Sequence, residues 1–220
     1  MPAVPVCARY EVDVRRPSAA RIYDYYLGGV HNFAVDRAFA KQAVRIEPEL
    51  PLVSRANRAF LRRAVKHCHD AGVRQFLDLG SGIPTCGSVH ETAPGARVVY
   101  VDHDKPTVAF GRAILRGDPN ARIVQADFRC PDRLLHHPEM SIDLNEPFAV
   151  LMVDVLRYVD DATDPHRLVA AYRDALPPNG FLAVSHTGRM ESYLDGLTLV
   201  GDGQVRLLHG GYAAVGHKPA

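Results

Sequence analysis

The sequence predicts an α/β protein in which a mostly parallel sheet carries helices on both faces and is preceded by a helical cap. Three observations carry that prediction. From residue 73 onward, short apolar runs alternate with amphipathic segments, the order expected of strand–helix–strand units. The runs Val98-Val99-Tyr100-Val101 and Val150-Leu151-Met152-Val153 are apolar without alternation, as strands buried on both faces are. Before residue 73, apolar residues recur instead at 56, 60, 61, 64, 65 and 68, close to the helical period. A chain of 220 residues is long enough for one well-buried core. The expected division is a tail and helical cap over 1–72 and a core over 73–220, within one compact domain.

Residues 1–16, rich in proline and valine, show no period and read as a tail. Ser18 is placed to cap a helix over 19–27, which Gly28-Gly29 stops. Helices over 34–45 and 54–71 follow, the second ended by Gly72. Arginines 55, 58, 62 and 63 read as its wet basic face. Then come a strand over 75–79, a helix over 84–92 opened by Pro84, a strand over 97–101, a helix over 106–116 and a strand over 122–125. After a loop, a strand over 149–153 and a helix over 165–176 lead to the turn Pro177-Pro178-Asn179-Gly180. Strands over 181–185, 197–200 and 211–218 close the chain.

Charge and cysteine content narrow the partners. Lys plus Arg number 26 against 25 Asp plus Glu, a balance that gives no support to nucleic acid as the main partner. No apolar run approaches the roughly 18 residues of a membrane-spanning helix, and the start lacks a positive region followed by an apolar core, so the expected location is cytoplasmic. The cysteines at 7, 68, 86 and 130 form no CxxC and read as free thiols. His67-Cys68-His69 would point in different directions on a helix, and no metal site is expected. Oligomeric state has no signature in the sequence.

The chemistry concentrates at the strand ends. Phe76-Leu77-Asp78-Leu79-Gly80-Ser81-Gly82-Ile83-Pro84-Thr85 reads as strand, tight turn and helix start, an order that brings a nucleotide-like ligand onto exposed backbone N–H groups. Gly80 and Gly82 allow the backbone to turn and approach a ligand closely. Acids stand at four strand ends: Asp78, Asp102 with Asp104, Asp127 and Asp154. Asp102 lies about 20 residues beyond Gly82, the spacing of a carboxylate that holds the ribose hydroxyls of a bound adenosine. Asp104 is also placed to cap the helix at Pro106. A dinucleotide fingerprint would have glycine at position 85, where this chain has threonine, so adenosine without phosphates fits better.

Asp78-Leu79-Gly80-Ser81-Gly82, with Asp102 and Ala126-Asp127, resembles the methyltransferases that use S-adenosyl-L-methionine, and so implies a Rossmann-like fold. A closer resemblance, to an actinobacterial S-adenosyl methyltransferase family formerly known as a domain of unknown function, is carried by four further blocks. They are residues 17–29 (PSAARIYDYYLGG) with Asn32-Phe33 and Asp36-Arg37, residues 76–85, Val99-Tyr100-Val101-Asp102-His103-Asp104, and Leu182-Ala183-Val184-Ser185-His186. The resemblance implies that Asp78 and Gly80 lie beside the methionine part of the cofactor and Gly82 near its ribose. It implies further that Asp102 binds the ribose hydroxyls, His103 lies beside the adenine, and Asp127 with Phe128 meets the adenine edge and face. Asp154 would stand at the mouth, near the cofactor's amino group or the substrate. Tyr25, Tyr26, Gly28, Gly29, His31 and Asn32 would form a lid and part of the acceptor pocket. Between His186 and Leu197 the chain is shorter than this resemblance leads one to expect.

The implied reaction is displacement at the sulfonium methyl by a nucleophile on a small-molecule acceptor, driven mainly by positioning and exclusion of water. Candidate bases are His186, Asp154, and His31 with Tyr25 or Tyr26. The sequence also admits two other readings: a cofactor-binding or interaction module with little catalysis, and a nicotinamide-dependent oxidoreductase.

Overall fold

The computed structural model describes residues 15–220 except 86, 161–162, 188–189, 202–204 and 208–209. Helices α1 (Ala19–Tyr26), α2 (Ala34–Ile46) and α3 (Leu50–Asp70) come first. Strand β1 (Gln75–Leu79), α4 (Val89–Thr92), β2 (Arg97–Asp102), α5 (Lys105–Ile114), β3 (Ala121–Gln125), α6 (Pro131–Leu135), β4 (Ala149–Val153), α7 (Pro165–Asp174) and β5 (Phe181–Thr187) then alternate. The chain ends with β6 (Thr198–Leu199), β7 (Val205–Arg206) and β8 (Gly211–His217).

The strands form one sheet in the order β3-β2-β1-β4-β5-β8-β6, with β7 also paired to β8. Strands β1 to β5 run parallel to one another, and β8 runs antiparallel to β5, β6 and β7. Successive side chains of a strand point to opposite faces, and the core divides accordingly. Leu77, Val99, Val150 and Leu182 pack on the face covered by α7, through Leu168, Val169 and Tyr172. Phe76, Val98, Ala149 and Phe181 pack on the other face, against Phe60, Leu61, Ala64 and Val65 of α3. Helix α3 is therefore a structural layer of the sheet.

The differences from expectation have local causes. Helix α4 begins at Val89, not at Pro84, because Glu91 Oε2 accepts the N–H groups of Gly87 and Ser88 and starts the helix there. Residues 80–85 stay non-helical, with Gly80 and Gly82 at φ +62° and +64°. Helix α3 starts a turn early, at Leu50, since Pro51 suits a first turn. Residues 197–200 yield only a two-residue strand, and the loop after β3 contains α6, whose first residue is Pro131. Between β5 and β6, a 3-10 turn at Glu191–Leu194 sinks Tyr193 and Leu194 into the core. Cys68 is a free buried thiol, but Cys130 is disulfide-bonded, which corrects the reading of all four cysteines as free. Cys7 and Cys86 lie outside the described residues.

Candidate cofactor and acceptor site

Strand order reverses between β1 and β4, because β2 and β3 extend to one side of β1 while β4 and β5 extend to the other. The carboxyl ends of these strands open into a cavity of about 480 Å³, the position at which open parallel sheets bind ligands. Asp78, Gly80, Gly82, Asp102, His103, Phe128 and Asp154, all expected at a cofactor site, line this one cavity.

The turn after β1 is tied to β2 by two bonds. Ser81 N–H donates to the Val101 carbonyl at 3.0 Å, and Gly82 N–H donates to Asp102 Oδ2 at 3.0 Å. Asp102 Oδ1 accepts the N–H of Asp104 at 2.9 Å. Each carboxylate oxygen offers two lone pairs, so Asp102 keeps one acceptor position per oxygen for a vicinal diol. Burial pushes its pKa up, while the Asp104 N–H, His103 and the Gly82 N–H act the other way.

A second cluster occupies the cavity around the ends of β1 and β4. Burial raises the Asp78 carboxyl to about 7, against the lowering influence of Arg58. Among the described residues its carboxylate accepts no hydrogen bond, which leaves it open toward the cavity. Arg58 reaches this point from α3, with its guanidinium 5.5 Å from the Tyr23 ring centroid and its Nε buried without a partner. Tyr23 donates to the Ser54 carbonyl at 3.0 Å, and burial raises its hydroxyl to about 12. Asp154 completes the cluster, its Oδ1 3.5 Å from Arg157 Nε and its pKa raised by burial.

The remaining expected residues lie elsewhere. Asp127 faces Arg129, which donates Nε to Oδ1 at 2.9 Å and Nη2 to Oδ2 at 2.6 Å. Burial alone would raise the Asp127 pKa, but this pairing brings it below the ordinary value. Phe128 and Arg129, not Asp127, line the cavity. Tyr25, Tyr26 and Gly28 line a separate, more open cavity of about 550 Å³ together with Lys41, Arg45 and Arg55. Gly29 and Asn32 build a turn around Asp24: Asn32 Nδ2 and His31 N–H both donate to Asp24 Oδ2, and a Cβ at Gly29 would stand 2.1 Å from Asp24 Oδ1. The His31 ring packs edge-on against Phe110 at 5.3 Å and lines neither cavity. His186 packs against Tyr193 at 5.8 Å, outside both cavities, and burial, with Arg157 and His166, lowers its pKa.

The sequence reading expected a lid from this region through Tyr25 and Tyr26, but missed the residues of α1 and its lead-in that line the main cavity. Pro17, Ser18, Ala20, Arg21 and Tyr23 form a wall of the main cavity. Arg21 is fully buried and donates Nε to Asp36 Oδ2 at 2.7 Å and Nη1 to Asp104 Oδ2 at 3.2 Å. Asp36 also accepts the N–H groups of Ser18 and Phe33, and Asp104 caps α5 through Thr107 N–H. The signal was present as a run of family-like residues, but its ion pairs join positions far apart in the chain. Arg58 was missed because it was grouped with its exposed neighbours.

Among the described residues, no helix is long and apolar enough to cross a membrane, and no group of His, Cys, Asp and Glu is arranged to hold a metal.

Comparison with known proteins identifies the family of this chain. The model of the S-adenosyl methyltransferase family matches residues 6–205. A proposed methyltransferase from Thermobifida fusca is 35% identical, with a TM-score of 0.86 over 94% of this chain and 97% of its own. A DUF574 family protein from Streptomyces avermitilis is 30% identical, with a TM-score of 0.85 over 95% of this chain and all of its own. The N-methyltransferase NodS from Bradyrhizobium japonicum, solved with S-adenosyl-L-homocysteine, shares the fold at 14% identity and a TM-score of 0.57 over 76% of this chain and 88% of its own. Among curated proteins none matches the chain. The match over most of the chain makes it a member of the S-adenosyl methyltransferase family, an enzyme of the class I S-adenosylmethionine-dependent methyltransferases.

Proposed function

We propose that the 480 Å³ cavity seats S-adenosylmethionine and that the enzyme transfers its methyl group to a small-molecule acceptor. The observation that supports this most strongly is the convergence of the Gly80–Gly82 turn, the Asp102 carboxylate and the Phe128 ring on one cavity. Asp102 accepts from the ribose hydroxyls, and Phe128 and His103 flank the adenine. The opposite cluster offers a cation and carboxylates side by side, the complement of an amino-acid zwitterion: Arg58 faces the carboxylate, and Asp78 with Asp154 faces the ammonium.

The bound cofactor supplies an electrophilic methyl on a sulfonium. The chain's own contribution is to orient the two reactants and keep water out. Helix α1 closes the cavity from above, held by the ion pairs of Arg21. Tyr158 lines the main cavity, whereas Tyr25, Tyr26 and Gly28 line the second one. The cations Lys41, Arg45 and Arg55 along that second cavity favour an acceptor bearing negative charge. Of the candidate bases, Asp154 lines the main cavity, while His186, His31, Tyr25 and Tyr26 do not.

The test is calorimetric titration with S-adenosyl-L-homocysteine, followed by turnover of S-adenosylmethionine against pooled metabolites. Binding with acceptor-dependent turnover supports the proposal. A folded chain that binds no nucleoside contradicts it.

A further inference from the structure

Asp154 has a left-handed backbone, φ +57°, that residues with a Cβ rarely adopt. Sparsely populated conformations of this kind persist where the surroundings over-determine them, and they concentrate at functional sites. The surroundings here are specific. The Asp154 N–H donates to Ser185 Oγ at 2.9 Å and, more weakly, to the Ser185 carbonyl at 3.3 Å. Ser185 Oγ in turn donates to Asn57 Oδ1 at 2.7 Å. Ser185 is 1% exposed and Asn57 3%, so neither hydroxyl nor amide is a solvent-facing group that happens to touch a neighbour.

This chain of bonds joins three elements. Asn57 sits on α3 immediately before Arg58, which lines the cavity. Ser185 lies on β5 opposite Val153, the last residue of β4. Their common target is the first residue beyond β4. The acceptor capacity of the hydroxyl fixes the direction of the Asp154 N–H, and with it the side of the chain on which the carboxylate emerges.

We propose that Ser185 and Asn57 are positioning residues that hold the Asp154 carboxylate in the cavity, where it receives the ammonium group of the cofactor's amino-acid end. This rests on the reading of that cavity as the cofactor site. An alanine at 185 leaves the Asp154 N–H only the longer bond to the backbone carbonyl at that position. The backbone at 154 then relaxes toward an ordinary region and swings its side chain away, while Asp102 and Phe128 are untouched.

Two ligands separate this role from a merely structural one. S-adenosyl-L-homocysteine carries the amino-acid end, and 5′-methylthioadenosine lacks it. Calorimetry on the full chain compares the parent, Ser185→Ala, Asp154→Ala and the double variant. The expected result is that each single change weakens S-adenosyl-L-homocysteine roughly tenfold, the loss of about one hydrogen bond to a charged group. The double variant is expected to be no weaker than Asp154→Ala, since the two act through one contact. Affinity for 5′-methylthioadenosine stays as in the parent. Equal losses for both ligands, additive losses in the double variant, or unchanged S-adenosyl-L-homocysteine affinity in Ser185→Ala would overturn the inference. If Ser185→Ala does not fold, Asn57→Ala probes the same relay from its other end, with the same outcomes. A folded parent that binds neither nucleoside would overturn the cofactor reading itself.

Discussion

Asp78 shows how a single position couples stability to binding. Burial raises its carboxyl to about 7 in the folded protein, against about 3.9 in an unfolded chain. Between those values the folded state holds the extra proton, so Asp78 makes stability fall as pH rises from about 4 to about 7. Asp102 and Asp154 are raised too and act in the same direction. In Asp78→Asn this contribution disappears. Urea midpoints at pH 5 and pH 8 are expected to fall less with pH in the variant than in the parent, and an identical fall in both would contradict the assignment. Ligand binding should run the opposite way: an ammonium beside Asp78 favours its ionised form, so parent affinity for S-adenosyl-L-homocysteine increases from pH 5 to pH 8. Gly80 is the other position where one atom decides. Its φ is +62°, and a Cβ there would stand 2.2 Å from Val155 Cγ2. Gly80→Val is therefore expected to lower unfolding free energy by about 2–4 kcal/mol and to impair binding. Asp78 and Gly80 were legible in the sequence because a strand-end acid and a glycine turn have local signatures. Arg58 was not, since its place on the boundary between the wet and buried faces of α3 is set by the elements packed around it.

At the scale of elements, attachment of α1 governs access to the site. The pair of Arg21 with Asp36 is buried and that with Asp104 part-buried, unlike the exposed pair of Lys66 with Asp70 on α3. Removing one partner of a buried pair strands the other charge, so Arg21→Met is expected to cost about 3–5 kcal/mol in urea unfolding. Lys66→Ala should leave the same curve essentially unchanged, because solvent screens an exposed helix pair. Equal effects of the two changes would show that Arg21 does not anchor the cap. The strands β1 to β5 were readable as apolar runs, each within two residues of its observed limits. Helix α4 was not placed correctly, although Ser88-Val89-His90-Glu91 carries the S-x-x-E pattern of a helix start. Pro84 suggested an earlier start, yet Thr85 lies in the loop, its Oγ1 3.3 Å from Asp24 Oδ1. The separation of Tyr25 and Tyr26 from the main cavity depends on the docking angle of α1, which helical spacing alone does not specify.

For the whole molecule, one topological feature assembles the site. The sheet reverses its order beside β1, and this places Gly80, Asp102, Phe128 and Asp154, from four strand ends, around a single space. The same sequence features in another strand order would be separate surface acids. The direct test is calorimetric titration of S-adenosyl-L-homocysteine into the parent chain and into Asp102→Ala, with circular dichroism to verify the fold of each. The parent is expected to bind, and the variant to bind more weakly by about 2–4 kcal/mol, because a charged acceptor and the anchor of the Gly82 N–H are lost together. Equal affinity in a folded Asp102→Ala variant would contradict the claim that this carboxylate holds the nucleoside.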